Sequence, residues 1–193
     1  MPDFETRPVR ARMIDGATQI LARRGLRGTA FSEVIALAGA SRGSIYHHFP
    51  GGKAELIDAV LTQYTDALDQ QVRSLIGRPA AAFCDAVLGL WRAALLRYDC
   101  EAGSPVTAAT VAADSTRVQE RCRLSYRALA DTLRAGLERG GLLPVDAAPA
   151  AAFLLAALEG AQVLCRACGD IGPFDAVADQ VRARVAQLAA GEG

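Results

Sequence analysis

Both histidines of the chain, two aromatic residues, an arginine, a lysine and three glycines fall in one stretch, "SRGSIYHHFPGGK", from Ser41 to Lys53. Three chemistries suit such a set: a metal site, a phosphate-cradling loop, or a surface that grips a polyanion. A metal fits poorly. His47 and His48 are adjacent and leave a helix in different directions, whereas a structural zinc wants about four converging ligands. Nor is "GGK" a P-loop, since the GxxxxGK[ST] pattern is absent and no strand precedes it. What remains is a row of hydrogen-bonding tips. Arg42 can give two bonds to a guanine edge, and Ser44 is a small donor or acceptor. Tyr46 and His47 are rigid and polar-tipped, suited to phosphate oxygens, and Lys53 is a point charge for another phosphate, helped by the N–H groups of the helix it opens.

The remaining reactive side chains are cysteines. Five of them, Cys84, Cys100, Cys122, Cys165 and Cys168, lie scattered through apolar segments and read as reduced, buried thiols. The "CRAC" of Cys165 and Cys168 has no second pair to complete a zinc site, so neither metal nor cofactor is expected. No histidine stands outside the opening stretch, and no paired carboxylates or Ser/His/Asp set is visible, which argues against an all-α enzyme. Oxidation of Cys165, Cys168 or Cys100 is a second chemistry that these thiols offer, that of a redox sensor using the same polyanion-gripping surface.

The elements that must hold these residues read as helix. From Val9, apolar Met13, Ile14, Ala17, Ile20 and Leu21 recur at helical spacing, with Gly25 as a stop. Phe31, Val34, Ile35 and Ala38 form the stripe of a short second helix, with Thr29 as its cap or near-cap. Gly39 supplies the tight turn, and Ser41 caps a third helix over Arg42 to His48 that Pro50-Gly51-Gly52 ends. Ile45 and Phe49 share its inner face and leave Arg42, Ser44, His47 and His48 outside. A long helix follows from about Lys53, and further apolar stripes predict helices around Phe83–Tyr98, from about Val106, over Val118–Leu137, Ala147–Cys168 and Asp175–Ala190. The expected fold is all-α, with about nine helices.

A chain of 193 residues, 51% hydrophobic, can bury a sizeable core. No run reads as the roughly 18 apolar residues that cross a bilayer, and "MPDFETRPVRAR" lacks the apolar centre of a secretory signal. A cytoplasmic protein without a membrane partner is expected. Net charge is zero, yet residues 1–53 carry eight Lys/Arg against Asp3, Glu5, Asp15 and Glu33, so a basic head precedes an acidic remainder. Two short helices joined by a four-residue turn containing glycine have the geometry of a helix-turn-helix, whose second helix enters the major groove of double-stranded DNA.

The stretch "GLRGTAFSEVIALAGASRGSIYHHFPGGKAEL" resembles the DNA-binding domain of the TetR family of transcriptional regulators, over about Val9 to Tyr64. Gly25, Thr29, Val34, Gly39, Ser41, Tyr46, Phe49, Lys53 and Leu56 fall at that family's spacing. "FPGGK", Ile35 and the segment "GSPVTAAT" (103–110) are similar to its LmrA/YxaF-like branch, with Ser104 where cysteine is usual; Leu37, often polar in relatives, departs from the pattern. The resemblance implies a DNA-binding domain at 1–53, with the start of helix four to about 64, and an effector-binding and dimerisation domain at 54–193. It implies a homodimeric repressor on a palindromic operator, with recognition helices roughly 34 Å or slightly more apart, released by a small effector. The DNA-contacting set is Thr29, Ser41, Arg42, Gly43, Ser44, Tyr46, His47 and Lys53.

In relatives the last two helices pair with their mates in a four-helix bundle. Here both are alanine-rich, and Phe153, Val177, Val181, Val185 and Leu188 are the candidate interface; the alternative is that these faces fill the subunit's own core. Phe83, Trp91, Tyr98 and Tyr126 are the large aromatics of the middle helices, each suited to the core and together suited to lining an apolar or aromatic effector pocket.

Overall fold

The structure, a computed structural model, describes residues 7–191. Asp3 and Glu5 of the charge count, and the first half of the N-terminal stretch read for a secretory signal, lie outside the described residues. Among the described residues the fold is all-α, with nine helices and no named strand. They are α1 (Val9–Gly28), α2 (Phe31–Ala38), α3 (Arg42–His48), α4 (Gly52–Arg73), α5 (Ala80–Arg97), α6 (Pro105–Thr110), α7 (Thr116–Arg139), α8 (Pro144–Cys168) and α9 (Gly172–Ala189). Gly25 takes φ +72° inside α1 and bends it, and the helix resumes for a last turn to Gly28. That φ is open to glycine and costly to side-chain-bearing residues, which is why the sequence signals a stop there. Gly39 closes α2 at φ +58°, ψ +40°, where its N–H and that of Ala40 satisfy the carbonyls of Ala36 and Ile35.

Contacts divide the chain into two units. The first comprises the residues up to Asp66 together with Ser104–Ser125. The helix α4 runs unbroken through residue 53, so a boundary at that point cuts a continuous element. Met13, Ile14, Leu21, Val34, Ile45, Phe49, Leu56 and Leu61 are buried in this unit. Leu37 finds a place here too. Gly16 of α1 presents no side chain, and a Cβ built there would lie 3.3 Å from the Leu37 Cβ. The half-exposed leucine thus packs over a flat spot on α1. Arg24 pairs with Glu33 across the α1–α2 corner.

The second unit holds Ala67–Gly103 and Tyr126 onward. Its core comes from α5, α8, α9 and the later part of α7. Gly136 of α7 leaves the space that the Phe83 ring of α5 occupies, and a Cβ there would clash with the ring. The Ala80 N–H donates to the Gly140 carbonyl at 2.9 Å, tying the end of α7 to the start of α5. Arg92 and Arg182 join α5 to α9 through Asp175 (2.8 Å) and Asp85 (2.6 Å).

Candidate nucleic-acid interface

The third helix is built to present one face. Ile45 and Phe49 are fully buried four residues apart and fasten it to the core. Geometry then turns Arg42, Gly43, Tyr46 and His47 outward, where all four are exposed, with Ser44 half-buried beside them. Ser41 occupies the N-cap position with extended backbone, but its side chain makes no capping bond; the Ser44 N–H bonds instead to the Ser41 carbonyl at 3.1 Å. Gly43 has open space around its Cα, so a partner's backbone can approach closely there. Among the described residues no carboxylate pairs with Arg42 or Lys53. Tyr46 is 64% exposed, and its ring meets Phe31 edge to face at 5.7 Å.

Two expectations change. Thr29 is only 1% exposed, and its hydroxyl donates to the Gly25 carbonyl at 3.0 Å. It closes α1 and does not cap α2, whose N-cap is Ala30. A buried, satisfied hydroxyl gives the Thr29 side chain little free surface for the expected DNA contact. The start of α4 is also less open than a bare helix end. The Gly51 N–H donates to the Glu55 carboxylate at 2.6 Å and the Gly52 N–H to the Phe49 carbonyl at 2.9 Å, so a phosphate beside Lys53 meets one acidic neighbour.

Further along α4 lies a cluster that sequence reading missed. Asp58 of α4 accepts from Arg117 (3.0 and 2.9 Å) and Arg121 (2.6 Å) of α7. Burial pushes its carboxyl up, but hydrogen bonds from Arg121 and Arg117 and their charges outweigh this and hold it below the usual value. Thr65 and Ser125 exchange a 2.8 Å hydroxyl bond along the same pair of helices. No local pattern signals a pairing of residues some sixty positions apart in sequence.

In the second unit, Phe83 and Trp91 (5% exposed) lie in the core and half-buried Tyr126 packs against it. Tyr98 does not join them: it ends α5, exposed, with the Arg97 guanidinium 5.7 Å from its ring centroid. Val181 and Val185 are buried within the chain's own core, the alternative weighed for these faces, and Val177 packs against that core. Phe153 and half-buried Leu188 instead line a cleft of about 500 Å³ between α8 and α9, with Pro149, Gln180 and Arg184. The exposed side of α8 carries an apolar row that includes Val145, Phe153, Val163 and Leu164.

Two family models match the chain. One, "Bacterial regulatory proteins, tetR family", covers residues 13–60. The other, "Transcriptional regulator LmrA/YxaF-like, C-terminal domain", covers residues 79–180. The chain is similar to an uncharacterized HTH-type transcriptional regulator of Mycobacterium tuberculosis (strain ATCC 25618 / H37Rv), 33% identical over 90% of this chain and 92% of the relative. The chain belongs to the TetR family of transcriptional regulators. Its similarity to the HTH-type transcriptional regulator LmrA of Bacillus subtilis (strain 168) is 29% identity over 80% of this chain and 85% of that one. The fold is shared with a TetR-family regulator from Agrobacterium tumefaciens at a TM-score of 0.81, with 23% identity over 91% and 96% of the two chains. A TetR regulator from Legionella pneumophila matches at 0.80, with 18% identity over 97% and 98%.

As a TetR-family chain the protein is a DNA-binding transcriptional regulator, of the LmrA/YxaF-like branch. Two further features of this TetR chain bear on its alternatives. The expectation that no segment is apolar enough to cross a bilayer fails for α8, whose 25 residues pass by length and composition. Alanine is the reason: it counts as apolar in bulk composition yet reads as a core helix locally, and one face of α8 is indeed buried in the chain's own core. The thiols are mostly shielded. Burial pushes Cys84 up to about 11 and raises Cys122 and Cys165 as well, which withholds the thiolate that oxidation chemistry needs. Cys165 of the CxxC is buried, with its thiol 3.8 Å from the Ile171 carbonyl, while Cys168 is exposed.

Proposed function

We propose that this regulator is a cytoplasmic homodimeric repressor that binds a palindromic operator through α3 and is released by a small apolar or aromatic effector. The observation that carries the reading is the outward row on α3, Arg42, Gly43, Tyr46 and His47, opposite the buried Ile45 and Phe49. Arg42 reads a guanine edge, Ser44 adds a base or phosphate contact, and Ser41, Tyr46, His47 and Lys53 hold phosphates that set the register. Binding of the chain to an operator selected from a random duplex pool, against a duplex of arbitrary sequence, tests it. Preference for the selected site that disappears in Arg42→Ala supports the reading; equal affinity of parent and variant for both duplexes overturns it.

The subunit seam is the exposed face of α8 with its α9 neighbours Val177 and Leu188. Val163 and Leu164 join Phe153 there, since Val181 and Val185 are already buried within one chain. The effector site is the aromatic interior of the second unit, centred on Trp91 and Tyr126 with Phe83 behind them. Tyr98, at the exposed end of α5, serves at most its rim. An effector acts by binding the DNA-incompetent arrangement more tightly, because equal affinity for both states shifts nothing.

A further inference from the structure

The spacing of Phe31 puts it on the apolar stripe of α2, yet it is only half-buried and its ring is spent on Tyr46. The two rings meet at 5.7 Å between centroids and 75° between planes, the edge-to-face geometry that the aromatic quadrupole favours. Phe31 itself is well held. It is the first residue of α2, two positions after buried Thr29, and the Glu33 and Val34 N–H groups close the turn onto the Ala30 carbonyl at 3.2 and 3.1 Å. Glu33 is in turn paired with Arg24 of α1. Tyr46, by contrast, is 64% exposed on the middle of α3 and has no other ring against it among the described residues.

From this arrangement we infer that Phe31 is a positioning residue for DNA binding: its ring fixes the exposed Tyr46 ring in the free protein, so that the Tyr46 hydroxyl is already aimed at a backbone phosphate. An exposed tyrosine left to rotate has to be ordered when DNA binds, and that ordering subtracts from affinity; a buttress on a rigid helix start settles it beforehand. The same contact spans the start of α2 and the middle of α3, the two helices of the reading motif. The inference rests on the assignment of Tyr46 as a phosphate contact, and the test separates the two.

A double-mutant cycle on Phe31→Leu and Tyr46→Phe reads it, with affinity measured on a duplex of arbitrary sequence, since phosphate contacts carry no base preference. Phe31→Leu alone should weaken binding roughly two- to tenfold, the worth of an aromatic pair. In the Tyr46→Phe background, which keeps the ring and removes the hydroxyl, the same change should cost little more. Phe31→Tyr, which keeps the ring edge, should restore affinity. If the Leu variant loses helicity, Phe31→Met carries the cycle instead. Losses that simply add show Phe31 acting through fold stability and overturn the inference while leaving Tyr46 as a contact. A Tyr46→Phe protein that binds like the parent removes Tyr46 from the interface, and the inference falls with it.

Discussion

Arg42 and Lys53 stand at opposite ends of one surface, and their losses should differ in kind. On the proposed reading Arg42→Ala removes a base reader, so operator binding should weaken by roughly 1–3 kcal/mol and preference should relax at one position per half-site. Lys53→Ala removes the proposed phosphate contact, so all duplexes should weaken alike and the dependence of affinity on salt should flatten. Titrations on selected and arbitrary duplexes at several salt concentrations separate the two. Thr29 offers the contrasting case. Its hydroxyl satisfies the Gly25 carbonyl inside the protein, so Thr29→Val should cost about 1 kcal/mol of folding stability in urea unfolding while DNA affinity at low temperature stays put. The row on α3 was legible because helical spacing alone decides which residues oppose Ile45 and Phe49. The fate of Thr29 was not, since a hydroxyl before a helix is equally suited to capping the next element or closing the last one.

The C-terminal ends of the short helices of the head were readable because they are chemical: Gly39 needs its positive φ, and Pro50 cannot continue a helix. The partner of α4 was not readable, because nothing local ties Asp58 to Arg117 and Arg121. That cluster makes a prediction of its own. The folded protein holds the Asp58 carboxyl below the ordinary value of 3.8, so the unfolded chain binds the proton more readily. Its contribution is therefore complete above about 3.8 and is lost as pH falls through the lower folded value. Asp58→Asn should cost about 1–2 kcal/mol near neutrality, a figure kept small by the half-exposed Arg117, and the difference from the parent should shrink in strong acid. Urea unfolding at neutral pH and below pH about 3.8 checks the sign; a gap that widens in acid refutes it.

At the scale of the whole molecule the two faces of α8 are the main lesson. Periodicity marks residues as apolar but does not say whether the apolar neighbour is the same chain or another one. So Val181 and Val185 carry the pattern of a seam and lie in the core, while an alanine-rich run masks Val163 (55% exposed) and Leu164. Glutamate at Val163 should split a dimer yet leave a folded subunit, because the side chain is exposed when the chain is alone. Val181→Glu should instead unfold it, since an unpaired charge in a full core costs several kcal/mol. Sedimentation and helicity of the two variants distinguish these outcomes; a Val163→Glu protein that stays dimeric at low micromolar concentration moves the seam elsewhere. The effector reading is testable on the parent, whose sole tryptophan is Trp91. Its emission should change as an aromatic ligand binds, and saturation should weaken operator binding roughly 5- to 150-fold, with DNA weakening the ligand by the same factor. Trp91→Leu should bind the operator normally and need more ligand to let go.

On the proposed seam, the apolar row that the long helix α8 leaves facing out ties the protein's durability to how many copies a cell holds. Mass action stabilises a folded subunit only to the extent that a second one is there to meet it. At low copy number that protection is weakest, and a newly made subunit waits longest with the row uncovered. Its lifetime against proteases and its tendency to aggregate should therefore track its own expression level. The parent's melting temperature should climb as the protein is concentrated, and that of Val163→Glu should not.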